Sequence, residues 1–270
     1  MSAIVGNHDE GSGDTAASLQ RGPILELRRI SKRFGAVQAL TEVDFEVFAG
    51  EVVALVGDNG AGKSTLVKCI AGTHAPDAGT ILFEGREAHI HAPGEATRLG
   101  IETVYQDLAL CDNLDVVQNM FLGRERLTSV VPPILRTLSE LEMEKRSLDV
   151  LRTLSVTTIT NVRERVAALS GGQRQSVAIS RAAMRNSKVV ILDEPTAALG
   201  VQQSGQVLAL VRQLRDHGLG VVLISHNLQE VFSVADRIIV LRLGRRVADF
   251  KRGSTTAEDV VAAITGAREG

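Results

Sequence analysis

The sequence predicts an α/β fold in which a largely parallel core sheet is interrupted by a helical insertion, and three observations carry that prediction. The apolar run Val52-Val53-Ala54-Leu55-Val56 ends in Gly57-Asp58-Asn59-Gly60-Ala61-Gly62, and Lys63-Ser64-Thr65 then opens a helical pattern. Two further runs, Val189 to Leu192 and Gly220 to Ile224, are apolar without alternation, as strands covered on both faces are, and each ends in polar groups. From Asp107 to about residue 187 the apolar residues lack strand alternation and mostly follow helical spacing.

The strand, loop and helix around residue 57 also carry chemistry. Gly57, Gly60 and Gly62 let the backbone curl so that its N–H groups point inward at an anion, a path a Cβ would obstruct. Asp58, Asn59 and Ala61 complete the loop, and the helix opening at Lys63 adds its positive dipole end to the same spot. Lys63 can reach the β and γ phosphates of a nucleotide, and the Ser64 hydroxyl, followed by Thr65, can ligate Mg²⁺. The bland alternative is a loop that merely contains glycines. Average residue frequencies would place this pattern in roughly one chain of this length per hundred, and the flanking strand and helix make it a nucleotide site.

Composition removes other classes. A hydrophobic share of 44% and a charged share of 23% describe a globular protein with ample core, and 270 residues hold one large domain or two small ones. The net charge is −2 with no basic block, which argues against nucleic acid as a partner. Cys69 and Cys111 show no metal or redox spacing and read as buried free thiols in a reducing cytosol. No apolar run approaches the ~18 residues a membrane span requires. Residues 1–22, rich in Gly, Ser, Ala and Asp, read as a disordered tail, not a signal peptide. These features place the protein in the cytosol unless a partner holds it at a membrane.

Taken in order, Ile24 to Ile30 alternates as an edge or half-buried strand does, and Val43 to Val47 alternates more strictly. Gly50 then turns the chain into the run at residue 52, so a hairpin is expected to feed the phosphate loop. Between the first two strands, Ser31-Lys32-Arg33-Phe34-Gly35 reads as a connection, with Phe34 an ordinary core aromatic on sequence alone. After the helix with Leu66, Val67, Cys69 and Ile70 comes a turn at residues 75–79 and a strand from Thr80 to Phe83. His89 and His91 share a strand face, but no third ligand lies nearby, so they read as surface histidines. Ile101 to Tyr105 is a short strand, with Gln106 just past its end.

In the insertion, Leu108, Leu110, Leu114, Val116, Val117, Met120, Phe121 and Leu122 cluster, either as the insertion's own core or with a part exposed to a partner. Ile134, Leu138, Leu141, Leu148, Leu151 and Leu154 recur at helical spacing. Leu169-Ser170-Gly171-Gly172-Gln173 then opens a helix to about Arg185. Ser170 and Gln173 stand in capping-box spacing, so a well-capped helix is one reading. Two glycines in a first helical turn are costly, however, and their bare amides make a second anion site. Asp193 and Glu194 end a buried strand, where an acidic pair is expensive without a cation; Asp193 suits Mg²⁺ and Glu194 suits polarising an attacking water. A helix from Val201 to His217, a strand ending at His226 and a hairpin around Gly244 follow. The last helix, Ala257 to Ile264, is expected to be capped by Thr255 and Glu258 and stopped by Gly266.

In this order the pieces resemble the ATP-binding subunit of an ABC transporter, over nearly all of Ile24 to Phe250. Five motifs carry the resemblance: the phosphate loop, Gln106, Leu169-Ser170-Gly171-Gly172-Gln173, Asp193-Glu194 and His226. It implies an α/β P-loop NTPase (ABC ATPase) core sheet with an antiparallel β subdomain and an inserted α-helical subdomain at about 107–187, all within one domain spanning 23–270. It also implies two subunits paired head to tail, so that Ser170, Gly171, Gly172 and Gln173 of one face the γ-phosphate held by the other. By the same resemblance Phe34 stacks on adenine, against the core reading above. Gln106 senses Mg²⁺ and water, Asp193 holds the metal with Ser64, Glu194 is the general base and His226 binds the γ-phosphate.

The stretches Gly100 to Gln106, Asn119 to Glu125 and Pro195 to Leu199 are similar to those of monosaccharide importers. The absence of a second phosphate loop or signature makes the chain similar to single-module, fructose-type ATPases, without the long C-terminal regulatory domain of disaccharide-type relatives. The resemblance implies ATP and Mg²⁺, an integral membrane permease and, indirectly, an extracytoplasmic sugar-binding protein. The permease is expected to dock on Gln106 to Phe121, which joins the nucleotide site to the insertion, through whichever of Leu114, Val117 and Phe121 is exposed. The chain would then be peripheral, on the cytoplasmic face of the cell membrane. Gly200 stands where the family usually has aspartate. A soluble ABC ATPase of translation or DNA repair, or an importer ATPase for another small solute, is the alternative. A module that binds ATP without turnover is disfavoured by Lys63, Glu194 and His226.

Overall fold

The strands that are apolar on both faces share one sheet, and the alternating strands before residue 90 form another. A computed structural model describes residues 22–130, 135–184 and 187–267. The expected tail, apart from Gly22, lies outside them, as does Ile134. The strands are β1 (Leu25–Phe34), β2 (Val37–Val47), β3 (Val52–Val56), β4 (Ala78–Phe83), β5 (Arg86–Glu87), β6 (Ile101–Val104), β7 (Leu127–Val130), β8 (Leu135–Leu138), β9 (Val189–Asp193), β10 (Gly220–Ile224), β11 (Arg237–Arg242) and β12 (Arg245–Lys251). The helices are α1 (Lys63–Ile70), α2 (Pro93–Leu99), α3 (Val116–Phe121), α4 (Glu140–Thr153), α5 (Gly171–Ala183), α6 (Val201–Asp216), α7 (Leu228–Val234) and α8 (Ala257–Thr265).

A six-stranded sheet runs in the order β12-β11-β3-β10-β9-β6, parallel except for β12. Its strands feed both faces. Val53, Leu55, Ile191 and Val222 enter one hydrophobic cluster, while Val52, Ala54, Val190 and Val221 enter another. That two-sided burial accounts for the unbroken apolar runs, each fully buried Val, Leu or Ile contributing about 1.5–3 kcal/mol. The alternating strands form a second, antiparallel sheet, β2-β1-β4-β5, packed through Leu25, Leu27, Ile30, Val43 and Phe45 onto the first cluster. Among the described residues no helix is long and apolar enough to cross a membrane.

Several expectations are corrected here. β2 and β3 are not a hairpin: β2 pairs with β1, and β3 lies between β10 and β11. The physical reason is the pattern itself, since a half-polar strand cannot lie between two strands of a sheet buried on both faces. Of the two readings of β1 the half-buried one holds, and the edge one does not, since it lies between β2 and β4. It continues through residues 31–34, leaving only Gly35 and Ala36 as the turn, with Gly35 at φ +56. The final helix is capped one residue later than expected, by Thr256, whose hydroxyl accepts from the Asp259 amide at 3.2 Å.

The insertion contains a short antiparallel hairpin, β7 with β8, in which Leu127 faces Leu138. Leu138 is therefore in a strand, and α4 begins only at Glu140. The leucine spacing imitated a helix that Pro132 and Pro133 could not have carried from upstream. Val116, Val117, Met120 and Phe121 pack with Met143, Leu151, Val166, Leu169 and Val177 into the insertion's own core. Of the three expected docking residues, Val117 and Phe121 are buried and Leu114 alone is partly exposed. Leu114 is thus the one of the three left to a docking surface, since Val117 and Phe121 belong to this core.

Candidate functional site

Register brings the sequence-singled residues together. Val104 lies opposite Leu192, Asp193 opposite Ile224, and Ile224 opposite Leu55. The carboxyl ends of β6, β9, β10 and β3 are therefore level and adjacent. From them emerge Gln106, Asp193-Glu194, His226 and the loop 57–62, in that spatial order. The carboxyl edge of such a sheet is where ligands bind.

The phosphate loop uses its glycines as expected, and sharply at two positions. Gly57 is at φ +148, and a Cβ there would lie 2.2 Å from the Leu241 carbonyl oxygen. Gly62 is at φ +106, and its Cβ would lie 2.9 Å from the Ala39 oxygen and from Leu40 Cδ2. Gly60 has open space and needs glycine only for its φ of +80. Asp58, Asn59, Gly60 and Ser64 are exposed, Thr65 is half-buried, and Ala61 is buried beneath the loop. Lys63 folds over the loop, donating from Nζ to the Gly57 oxygen at 2.6 Å and to the Asp58 oxygen at 3.0 Å. Partial burial holds its ammonium below the ordinary lysine range, against the pull of Glu194, Asp58 and Asp193.

At the end of β9 the two carboxylates differ. Asp193 is half-buried, and that burial, with the neighbouring Glu194 charge, pushes its carboxyl above the usual range although Lys63 opposes the shift. Such a group gains from a cation. Ser64, Gln106 and Asp193 supply only oxygen donors on their reactive faces, a donor set suited to a hard ion such as Mg²⁺. Glu194 is at φ +49, a left-handed conformation rare for a residue with a side chain and unusual before a proline. The strain turns its carboxylate onto His226, whose Nδ1 lies 3.2 Å from Glu194 Oε1. A carboxylate accepts, so Nδ1 is the donor in this contact, and the imidazole itself is exposed.

Sequence reading missed the support behind this pair. Thr196 Oγ1 donates to Glu230 Oε2 at 2.5 Å, and Ser225 Oγ donates to the same oxygen at 3.4 Å. Thr196 and Ser225 are buried, so the segments after β9 and β10 are tied through one carboxylate on α7. No motif announces Glu230, and only the fold brings it to both strands. Asn119, fully buried on α3, does the same for the segment after Gln106: its side chain accepts from the Cys111 amide at 2.7 Å and donates to the Cys111, Leu114 and Asp115 oxygens.

Phe34 is 42% exposed at the end of β1, with its ring edge-on to His74 at 5.2 Å and Lys32 Nζ 5.5 Å from its centroid. This corrects the reading of Phe34 as a core aromatic: the hairpin tip projects it out of the sheet. The signature turn is a true capping box, with Ser170 Oγ accepting from the Gln173 amide at 3.4 Å and Gln173 Oε1 accepting from the Ser170 amide at 2.9 Å. Gln173 also donates to the Thr158 oxygen at 2.7 Å. Gly171 and Gly172 are the first two residues of α5, whose amides have no acceptor within the helix. Among the described residues no hydrogen bond joins this turn to the phosphate loop of the same chain.

Comparison with known proteins agrees with this arrangement. The family model described as ABC transporter matches residues 40–197. The fructose import ATP-binding protein FrcA of Rhizobium meliloti is 50% identical over 92% of this chain and 95% of its own. The xylose/arabinose import ATP-binding protein XylG of Sulfolobus acidocaldarius is 45% identical over 90% of this chain and 94% of its own. Among solved structures, the dimeric bacterial ABC transporter cassette MJ0796 superposes with a TM-score of 0.68 at 26% identity, covering 84% of this chain and 98% of that one.

Proposed function

This chain belongs to the ABC transporter family, and from that premise we propose that it is the ATP-hydrolysing subunit of an importer that takes up a small sugar, a monosaccharide and in the finer reading fructose, through a partner permease. The observation that carries the catalytic reading is the level register of four strand ends, which gathers the phosphate loop, Glu194, His226 and Gln106 on one edge. Half identity to a fructose import protein across nearly the whole chain supports the sugar.

In this reading the amides of residues 58–63 and the start of α1 hold the β and γ phosphates, and Lys63 leaves its two loop carbonyls to reach them. Phe34 takes adenine against its exposed ring. Ser64, Asp193 and Gln106 hold Mg²⁺, which when bound neutralises charge on the β and γ phosphates. Glu194, aimed by its left-handed backbone and by Glu230 behind it, orients and deprotonates water. His226 faces the γ-phosphate. Ser170 to Gln173 complete the site of a second copy, so turnover requires the head-to-tail pair. The permease holds this pair at the cytoplasmic face of the membrane, and an extracytoplasmic binding protein delivers the sugar to it.

The test is Glu194→Gln in the assembled transporter. ATP binding persists and turnover falls by about 10²–10⁴-fold, the usual weight of a general base. Hydrolysis at the unmodified rate removes Glu194 from the chemistry.

A further inference from the structure

The turn between β11 and β12 lies between the phosphate loop and the antiparallel sheet, and one residue joins both. The Gly244 amide donates to the Ala61 oxygen at 3.0 Å, and the Gly244 oxygen accepts from the Thr41 amide at 2.8 Å. Ala61 belongs to the phosphate loop and Thr41 to β2, so a single residue spans the gap between them. The fit is close on every side. Gly244 is at φ +75, and a Cβ on it would lie 2.7 Å from the Ala39 oxygen. A Cβ on Gly62 would lie 3.5 Å from the Gly244 Cα, and one on Gly57 would strike the Leu241 oxygen, which belongs to the same hairpin.

β2 leads from Thr41 back to Val37, which pairs with Phe34 across the two-residue turn. Towards the far end of β2, Arg237 donates to the Glu46 oxygen at 2.6 Å, so the strand is tied to the core sheet's elements at its middle and near its end. The Gly244 tie is the one near Phe34. We propose that Gly244 is a positioning residue for the nucleotide, a backbone spacer that fixes the distance between the phosphate loop and the Phe34 ring so that one ATP fits both. This rests on the reading of Phe34 as the adenine contact. Gly244 does not touch the nucleotide. It acts by preventing the antiparallel sheet from shifting relative to the loop.

The experiment is a double-mutant cycle on the full chain, reading the Kd of ATP and of inorganic tripolyphosphate, with a thermal melt for each variant. Gly244→Ala raises the Kd of ATP about fivefold or more, the lower end of a lost base stack. It changes tripolyphosphate binding less than about twofold, because the loop keeps its own Ala61–Asp58 backbone bond and Lys63 stays free to reach the phosphates. In a Phe34→Ala background the same change costs less than about twofold, since no stack remains to misplace. Equal losses in both backgrounds, no loss in either, or a parallel loss for tripolyphosphate overturns the proposal. If Phe34→Ala by itself leaves the Kd of ATP unchanged, the adenine reading has failed and the spacer role falls with it. Should Gly244→Ala not fold, Thr41→Pro on the edge strand β2 removes the Thr41 donor without adding a Cβ at 244, and the same cycle decides.

Discussion

The phosphate loop and the signature turn both offer glycine amides at the start of a helix, but they use glycine for different reasons. In the loop, Gly57 and Gly62 have positive φ and backbone oxygens where a Cβ would stand. In the turn, Gly171 and Gly172 have no positive φ, and their Cβ atoms would only press on Leu199 Cδ2 and Gln203 Cβ at 3.1 Å. The loop is closed by its own chain, with Lys63 on its carbonyls and Ala61 buried under it. The turn is held by its capping box and by Gln173 on the Thr158 oxygen, with Ser170 and Gly171 exposed. In the proposed reading one cradle is complete within a subunit, and the other is half of a site that a second copy finishes.

Breaking the loop has the largest expected effect. Gly57→Ala forces a methyl into the Leu241 carbonyl in a conformation alanine avoids, and should cost more than about 3 kcal/mol of folding stability together with ATP binding. Chemical denaturation measures it. A stable variant that still binds ATP would show that the loop can move away from β11. Lys63→Ala comes next. Losing one charge-assisted hydrogen-bond partner should raise the Kd of ATP about 10- to 100-fold while leaving the fold intact, read by nucleotide titration of the single subunit.

The signature turn should respond in the opposite way. Gly172→Ala gains about 1 kcal/mol of helix propensity, largely offset by the shift it forces on Gln203, so the melting midpoint stays nearly constant. ATP binding by the single subunit should be unchanged, and turnover by the assembled pair should fall. If single-subunit binding falls instead, the two cradles are not divided between copies. The smallest effect is expected at Gly200. It is the N-cap of α6 with φ −73 and ψ 163, open space around it and no side-chain cap. Gly200→Asp should therefore fit, stabilise α6 by a few tenths of a kcal/mol and raise the ATP concentration at half-maximal turnover through repulsion at the seam. Unchanged half-saturation and cooperativity would make Gly200 a spacer only.

How much was legible varied with how local the information is. Residues 52–65 showed strand, loop and helix in one stretch, and the structure follows them nearly residue for residue. The pairing of β7 with β8 did not show, because Leu138 and Leu141 fit a helical period as well as they fit a strand end and a helix start. Phe34 was misjudged as core for a related reason. An aromatic beside a two-residue turn can point either way, and burial is set by what lies above the sheet.

The sequence by itself determined the fold class, the phosphate loop, the capped signature helix and the strand-end groups Gln106, Asp193, Glu194 and His226, because each is written within one element and its boundary. Only the tertiary structure decided that β2 leaves the core sheet, that Val117 and Phe121 are interior, that Glu230 holds two strand ends and that Gly244 bridges loop and sheet. Those facts depend on contacts between residues as much as 200 positions apart, such as Thr41 with Gly244. Local periodicity carries no signal for them, since a backbone amide or a buried carboxylate acquires its partner only when packing brings the two segments together.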